Sequence, residues 1–78
     1  MKMTVELTDT FGGEANYSWC IRKSIDIPSN TPQRSIIRQA KAALNLTNVR
    51  CDISHIADTI EIRPRNQCTV AFVTFPES

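Results

Sequence analysis

Cys51 and His55, with Asp52 or Asp58 beside them, are the residues of this chain whose types first suggest chemistry. A thiol, an imidazole and a carboxylate can serve as nucleophile, general base and orienting group. Their spacing argues against that use. Val49, Cys51 and Ile53 alternate with Arg50, Asp52 and Ser54, the period of a strand, and four residues along a strand span about 13 Å. A base must sit within about 3 Å of the proton it takes, so only a tight turn at Ser54-His55 would join the pair. The expectation is a buried thiol and a turn histidine, with no catalytic residue. Metal chemistry is equally poorly supplied. His55 is the sole histidine, and Cys20, Cys51 and Cys68 contain no closely spaced pair to nucleate a Cys3His zinc site. Gly12-Gly13 lacks the further glycines and helix start of a phosphate-binding loop. Asp58 and Glu61 flank a hairpin and read as solvated carboxylates. The chain reads as non-enzymatic, with no cofactor implied.

A cationic cluster remains. Arg34, Arg38 and Lys41 are spaced by four and three residues within the one helix-like stretch, and no acidic residue lies between Asp26 and Asp52. At about 100° per residue the three fall within about 40–60° of one another, one positive ridge on a helix. Ile36, Ile37, Ala40, Ala43 and Leu44 occupy the opposite face. Such a ridge suits phosphates or an acidic protein surface, although many charged helix faces are only solvated. Arg22, Lys23, Arg50, Arg63 and Arg65 are available to extend it. Aromatic groups to stack bases are scarce. Tyr17 and Trp19 fall on the apolar face of a strand, where core packing is the simpler use. Phe11 sits beside two glycines, either as a lid on the core or as an exposed anchor of the hot-spot kind. The expected contact residues are therefore Arg34, Arg38, Lys41, Phe11 and Glu14. The expected partner is a protein; direct nucleic-acid binding by the same helix is the alternative.

The elements that must position these groups follow from periodicity. Met3, Val5 and Leu7 alternate with Thr4, Glu6 and Thr8, a half-buried strand. Asp9 to Asn16 breaks the pattern around Gly12-Gly13, which reads as a loop rather than a tight two-residue turn. Tyr17, Trp19, Ile21, Ile25 and Ile27 share one face of a second strand, with Lys23 interrupting it, a sign of a bulge or an edge position. Pro28 ends that strand. Thr31 is the natural N-cap and Pro32 the first residue of a helix running to about Leu44, with Asn45 suited to a left-handed cap. Two short strands follow, the second through Ile60 and Ile62, and Pro64 to Gln67 is a turn. The last strand, Cys68 to Phe75, is apolar on both sides, with Val70 and Phe72 on one face and Ala71, Val73 and Phe75 on the other. A two-sided strand belongs in the middle of a sheet. The expected fold is α+β, ββαβββ, one helix on a mostly antiparallel five-stranded sheet of order 2-1-5-4-3; a sequential sheet with a right-handed crossover is the alternative.

One helix of about 20 Å covers only part of one face of five strands spaced about 4.8 Å apart. Ala71, Val73 and Phe75 are then expected to stay uncovered, and contiguous apolar area of that kind marks a contact site. A second subunit, giving a homodimer, or another protein is the simplest cover; the loop carrying Phe11, folded over the surplus, is the other.

Seventy-eight residues make one domain, residues 1–78, of a size that buries only about 60% of its unfolded surface. Net charge is +1, too near neutral to demand nucleic acid, but unevenly spread. Residues 28–51 carry Arg34, Arg38, Lys41 and Arg50 with no acid, whereas the segments on either side are net negative. Three widely spaced cysteines are not a disulfide framework, and Met1-Lys2-Met3 runs straight into an alternating strand rather than a signal sequence. No apolar run is long enough to span a membrane. The expectation is a cytoplasmic protein with reduced thiols.

The stretch Glu6-Leu7-Thr8-Asp9-Thr10-Phe11-Gly12-Gly13-Glu14-Ala15-Asn16-Tyr17-Ser18-Trp19 resembles the opening of short uncharacterised proteins of bacterial prophages and plasmids. Leu44-Asn45-Leu46-Thr47-Asn48-Val49-Arg50-Cys51 and Ile60-Glu61-Ile62-Arg63-Pro64 are similar in character. The resemblance covers about half of the chain and implies a bacterial cytoplasm and a mobile-element origin. Small non-catalytic proteins of such elements often block a host defence or nucleic-acid-processing enzyme, as anti-CRISPR proteins do. That is an analogy of size and context rather than of motif.

Overall fold

The computed structural model describes residues 1–75. Five strands and one helix follow in the order β1 Lys2–Phe11, β2 Glu14–Asp26, α1 Gln33–Ala43, β3 Cys51–Ile56, β4 Thr59–Pro64 and β5 Thr69–Thr74. The sheet runs β2-β1-β5-β4-β3 and every pairing is antiparallel. This is the ββαβββ, α+β arrangement expected from periodicity, with the strand that is apolar on both sides at its centre. In register, Leu7 and Ile62 flank Ala71, and Val5 and Ile60 flank Val73. These residues, with Met3, meet Ile36, Ala40 and Leu44 of the helix segment to form the core, closed by Ile27 and Leu46. Among the described residues no helix is long and apolar enough to cross a membrane.

The two faces of β5 are assigned opposite to expectation. Ala71 and Val73 lie beneath the helix and are fully buried, with Phe75 packed against the same core. Val70 and Phe72 belong to the helix-free face. The helix has to cover the face whose neighbours are Met3, Val5, Leu7, Ile60 and Ile62, because those are the only other apolar rows in β1 and β4.

The helix starts one residue later than the sequence suggests. Pro32 is extended at its N-cap and accepts no helix N–H through a side chain. Thr31 donates its hydroxyl to the Pro28 carbonyl at 2.6 Å instead, spending the group that would have capped. At the other end Asn45 is left-handed, φ 59°. The Leu46 N–H reaches the Lys41 carbonyl at 2.7 Å and the Asn45 N–H reaches that of Ala42 at 3.2 Å. This is a Schellman cap, with Leu46 buried as its apolar partner. Lys23 adds a further bond, from Nζ to the Ala43 carbonyl at 2.8 Å. The cation that interrupts the apolar face of β2 thus sits on an edge strand and caps the negative end of the helix.

The β1–β2 hairpin also departs from expectation. Phe11 pairs with Glu14, and Gly12 and Gly13 take φ 63° and 86°, so the connection is a two-residue turn. Positive φ at both positions matches the right-handed twist of the strands, and glycine adopts it without penalty. The break in periodicity comes from a bulge instead. Between the pairs Thr8↔Cys20 and Thr10↔Ala15, β1 advances two residues and β2 five. Thr8 and Asp9 satisfy the surplus backbone. The Tyr17 N–H donates to Thr8 Oγ1 at 3.0 Å, Thr8 Oγ1 donates to the Trp19 carbonyl at 2.9 Å, and the Ser18 N–H donates to Asp9 Oδ1 at 3.0 Å.

Asp9 further accepts from the Ser18 hydroxyl at 2.6 Å and from Asn16 Nδ2 at 2.9 Å. Those donors, Ser18 foremost, hold its carboxyl down to about 2 from an ordinary 3.8. A depressed folded-state value has a defined sign. The contribution of Asp9 is complete above pH 3.8 and fades as pH falls through about 2. Titration of its carboxyl carbon by NMR should give a midpoint well under the ordinary value, and Asp9→Asn should remove that part of the acid limb of stability. A midpoint at the ordinary value would mean that the bulge bonds do not persist in solution.

Candidate functional site

Helix α1 is fixed at its C-terminus by the Schellman cap and Lys23, and along its inner side by Ile36 and Ala40. Its outer side holds the sequence-predicted ridge. Arg34 and Arg38 are exposed and Lys41 half-buried. With Thr47 and with Ile37, which flanks the ridge instead of occupying the opposite face because it lies only about 40° round the helix from Lys41, they border a shallow cleft of about 190 Å3. The salt bridges among the described residues are Arg22–Glu6, Arg63–Glu61 and Arg65–Asp52. None uses the ridge. Among the described residues Arg38 bonds only the Ser35 hydroxyl, at 3.3 Å.

Phe11 and Glu14 are not brought to the ridge. They form the last pair of the β1–β2 hairpin, and Phe11 is 80% exposed at its tip. It is no lid. Arg63, from the helix-free face of β4, donates to the Gly13 carbonyl between them at 2.7 Å. That bond ties the tip toward the side of the sheet away from the helix.

The thiol and imidazole are kept apart. Cys51 and His55 lie in one continuous strand, and the chain reverses at Ala57-Asp58 instead of at Ser54-His55. His55 is therefore a strand residue, with its Nε2 against the side-chain amide of Gln33. Burial pushes the Cys51 thiol up, the nearby Lys41 charge offsetting part of that, so its thiolate is disfavoured. Asp52 is turned to Arg65, whose guanidinium hydrogen bond lowers its carboxyl. Among the described residues no group of three or more His, Cys, Asp and Glu is placed to hold a metal ion. A groove of about 530 Å3 runs between the helix start and the β3–β4 turn, bordered by Gln33, His55, Asp58 and Phe75.

A further constellation, missed in the sequence, crosses the helix-free face. Arg22, Glu6, Phe72 and Glu61 stand in successive register on β2, β1, β5 and β4. Arg22 bonds Glu6 at 3.2 Å and Arg63 bonds Glu61 at 2.7 Å. Tyr17 joins this face because the bulge, with φ 56° at that residue, breaks the alternation that would place it with Trp19. Neither aromatic is core: Tyr17 is 55% and Trp19 43% exposed. The register could have been read from the strand order and the alternation of β1, β4 and β5. The bulge could not.

Comparison with known protein families, with curated proteins and with solved structures gives no match in any of the three.

Proposed function

We propose that this chain is a small protein-binding module without catalytic activity, acting by covering an acidic surface of a protein partner. The observation that carries the reading is the ridge itself. Arg34, Arg38 and Lys41 share one face of a helix capped at its C-terminus, with no carboxylate partner among the described residues. Exposed ion pairs contribute only about 0.2–1 kcal/mol each, so leaving these cations unpaired costs the fold little. Complementary charge across an interface steers association and fixes register, so the same cations favour docking on an acidic surface.

The sign of the charge narrows the mechanism. A positive ridge has the wrong polarity to imitate nucleic acid. It suits an acidic patch on a cytoplasmic host defence or nucleic-acid-processing complex, blocked by the bulk of the domain in the anti-CRISPR manner that the mobile-element resemblance implies. Direct nucleic-acid binding through three cations would give a log–log salt slope of only about −3.

The double variant Arg34→Glu/Arg38→Glu tests this. Used as bait beside the unaltered chain in a host lysate, it should lose the captured protein, with affinity down about a hundredfold and the thermal midpoint unchanged. Undiminished capture would remove the ridge from function. Binding to duplex DNA at low salt, with the slope given above, would transfer the ridge to nucleic acid. Sedimentation run alongside measures whether the homodimer expected from the sequence forms.

A further inference from the structure

We infer that the helix-free face holds a second recognition site, a groove that takes an arginine side chain from a partner polypeptide. The groove, of about 350 Å3, is lined by Glu6, Tyr17, Ile56, Thr59, Phe72 and Thr74. Phe72 comes from the central strand, Tyr17 from one edge strand and Ile56 from the other, so the two flanking side chains stand on either side of the Phe72 ring. Tyr17 and Ile56 are 55% and 56% exposed, so both walls of the groove are accessible to a ligand.

An open carboxylate oxygen beside aromatic walls selects the occupant. Glu6 is the only ionised side chain in the lining. Its Oε2 receives Arg22 at 3.2 Å and the Cys20 thiol at 3.6 Å, while its Oε1 receives no hydrogen bond among the described residues. Glu61 stands on the other side of Phe72 in register, so carboxylates flank the aromatic ring on both neighbouring strands. Arg22 and Arg63 pair with these two carboxylates, so what the groove offers a ligand is the open acceptor Glu6 Oε1 beside aromatic walls, not a net negative charge. A guanidinium is favoured: it is planar, it stacks on aromatic rings and it can donate an N–H to the open Glu6 Oε1. The volume is at the lower end for ligand sites and fits a single side chain better than a cofactor. The site lies on the opposite side of the sheet from the ridge and shares no lining residue with it, so it stands or falls independently of the proposal above.

Titration of the isotope-labelled chain with the peptide acetyl-Gly-Arg-Gly-amide, followed by NMR, tests it. The result expected is saturable shifts centred on Glu6, Tyr17, Phe72 and Thr74. Replacing arginine in the peptide by neutral citrulline, or Glu6 by Gln in the protein, should each weaken binding about tenfold. Tyr17→Asn removes the aromatic wall while keeping a residue that tolerates φ 56°; it should weaken binding comparably and serves if Glu6→Gln does not fold. Shifts scattered over surface carboxylates, or equal affinity for both peptides, would overturn the assignment. So would oligothymidylate producing the same groove shifts, which would make Phe72 and Tyr17 a base-stacking platform.

Discussion

Ile62→Ala should lower the unfolding free energy by about 3 kcal/mol, and the thermal midpoint by about 15 °C. Ile62 is fully buried on β4, between Ile53 and Ala71 in register and beneath the helix. Its neighbour on the central strand is an alanine, too small to move into the space that three lost carbons would leave. Cavity cost is therefore added to the lost transfer energy. A domain of 78 residues has only about 4–12 kcal/mol in total, so this single truncation removes a large share. Ile62→Val, which deletes one methyl, should cost about 1 kcal/mol. Both values come from urea unfolding followed by circular dichroism. A loss for Ile62→Ala no larger than for Ile62→Val would mean that the helix does not seal the sheet at this point.

Thr8→Val should be nearly as costly, about 2 kcal/mol, although it keeps the shape of the side chain. Thr8 is the sole fully buried polar residue among those described. Its hydroxyl accepts from the Tyr17 N–H and donates to the Trp19 carbonyl. Valine leaves both backbone groups without their partner, and an unpaired buried group costs about 1–3 kcal/mol. Thr8→Ser keeps both bonds and should lose much less. Hydrogen exchange gives the specific signature: the Tyr17 amide should exchange far faster in Thr8→Val while amides of β4 and β5 change only with global stability. Uniform acceleration across the sheet would show instead that the hydroxyl serves general packing and not the bulge.

These two sites mark where the chain is legible and where it is not. Ile62 lies on a strand whose period assigns it to the core by alternation alone, and the same pattern places Met3, Val5 and Leu7. Asn45 as left-handed cap and β5 as central strand were legible for similar reasons, since one depends on a residue's own backbone preference and the other on local composition. The ridge was legible too, because the spacing of Arg34, Arg38 and Lys41 is helical geometry written into the residue numbers. Gly12-Gly13 was misread because the surrounding alternation fails; the failure belongs to the bulge at Asn16–Trp19, three residues beyond the turn.

The amino-acid order by itself determined the elements and the clustering of three cations, because each depends on neighbours within about one helical turn or one strand period. The strand order that it favoured was decided against the sequential alternative only by long-range pairing. Tertiary structure alone decided which side of β5 the helix covers, that Lys23 caps the helix it opposes, and that Tyr17 crosses to Phe72 and Glu6. Each of those outcomes joins residues far apart in the chain, where register and burial on one face exclude the alternative that local propensity leaves open.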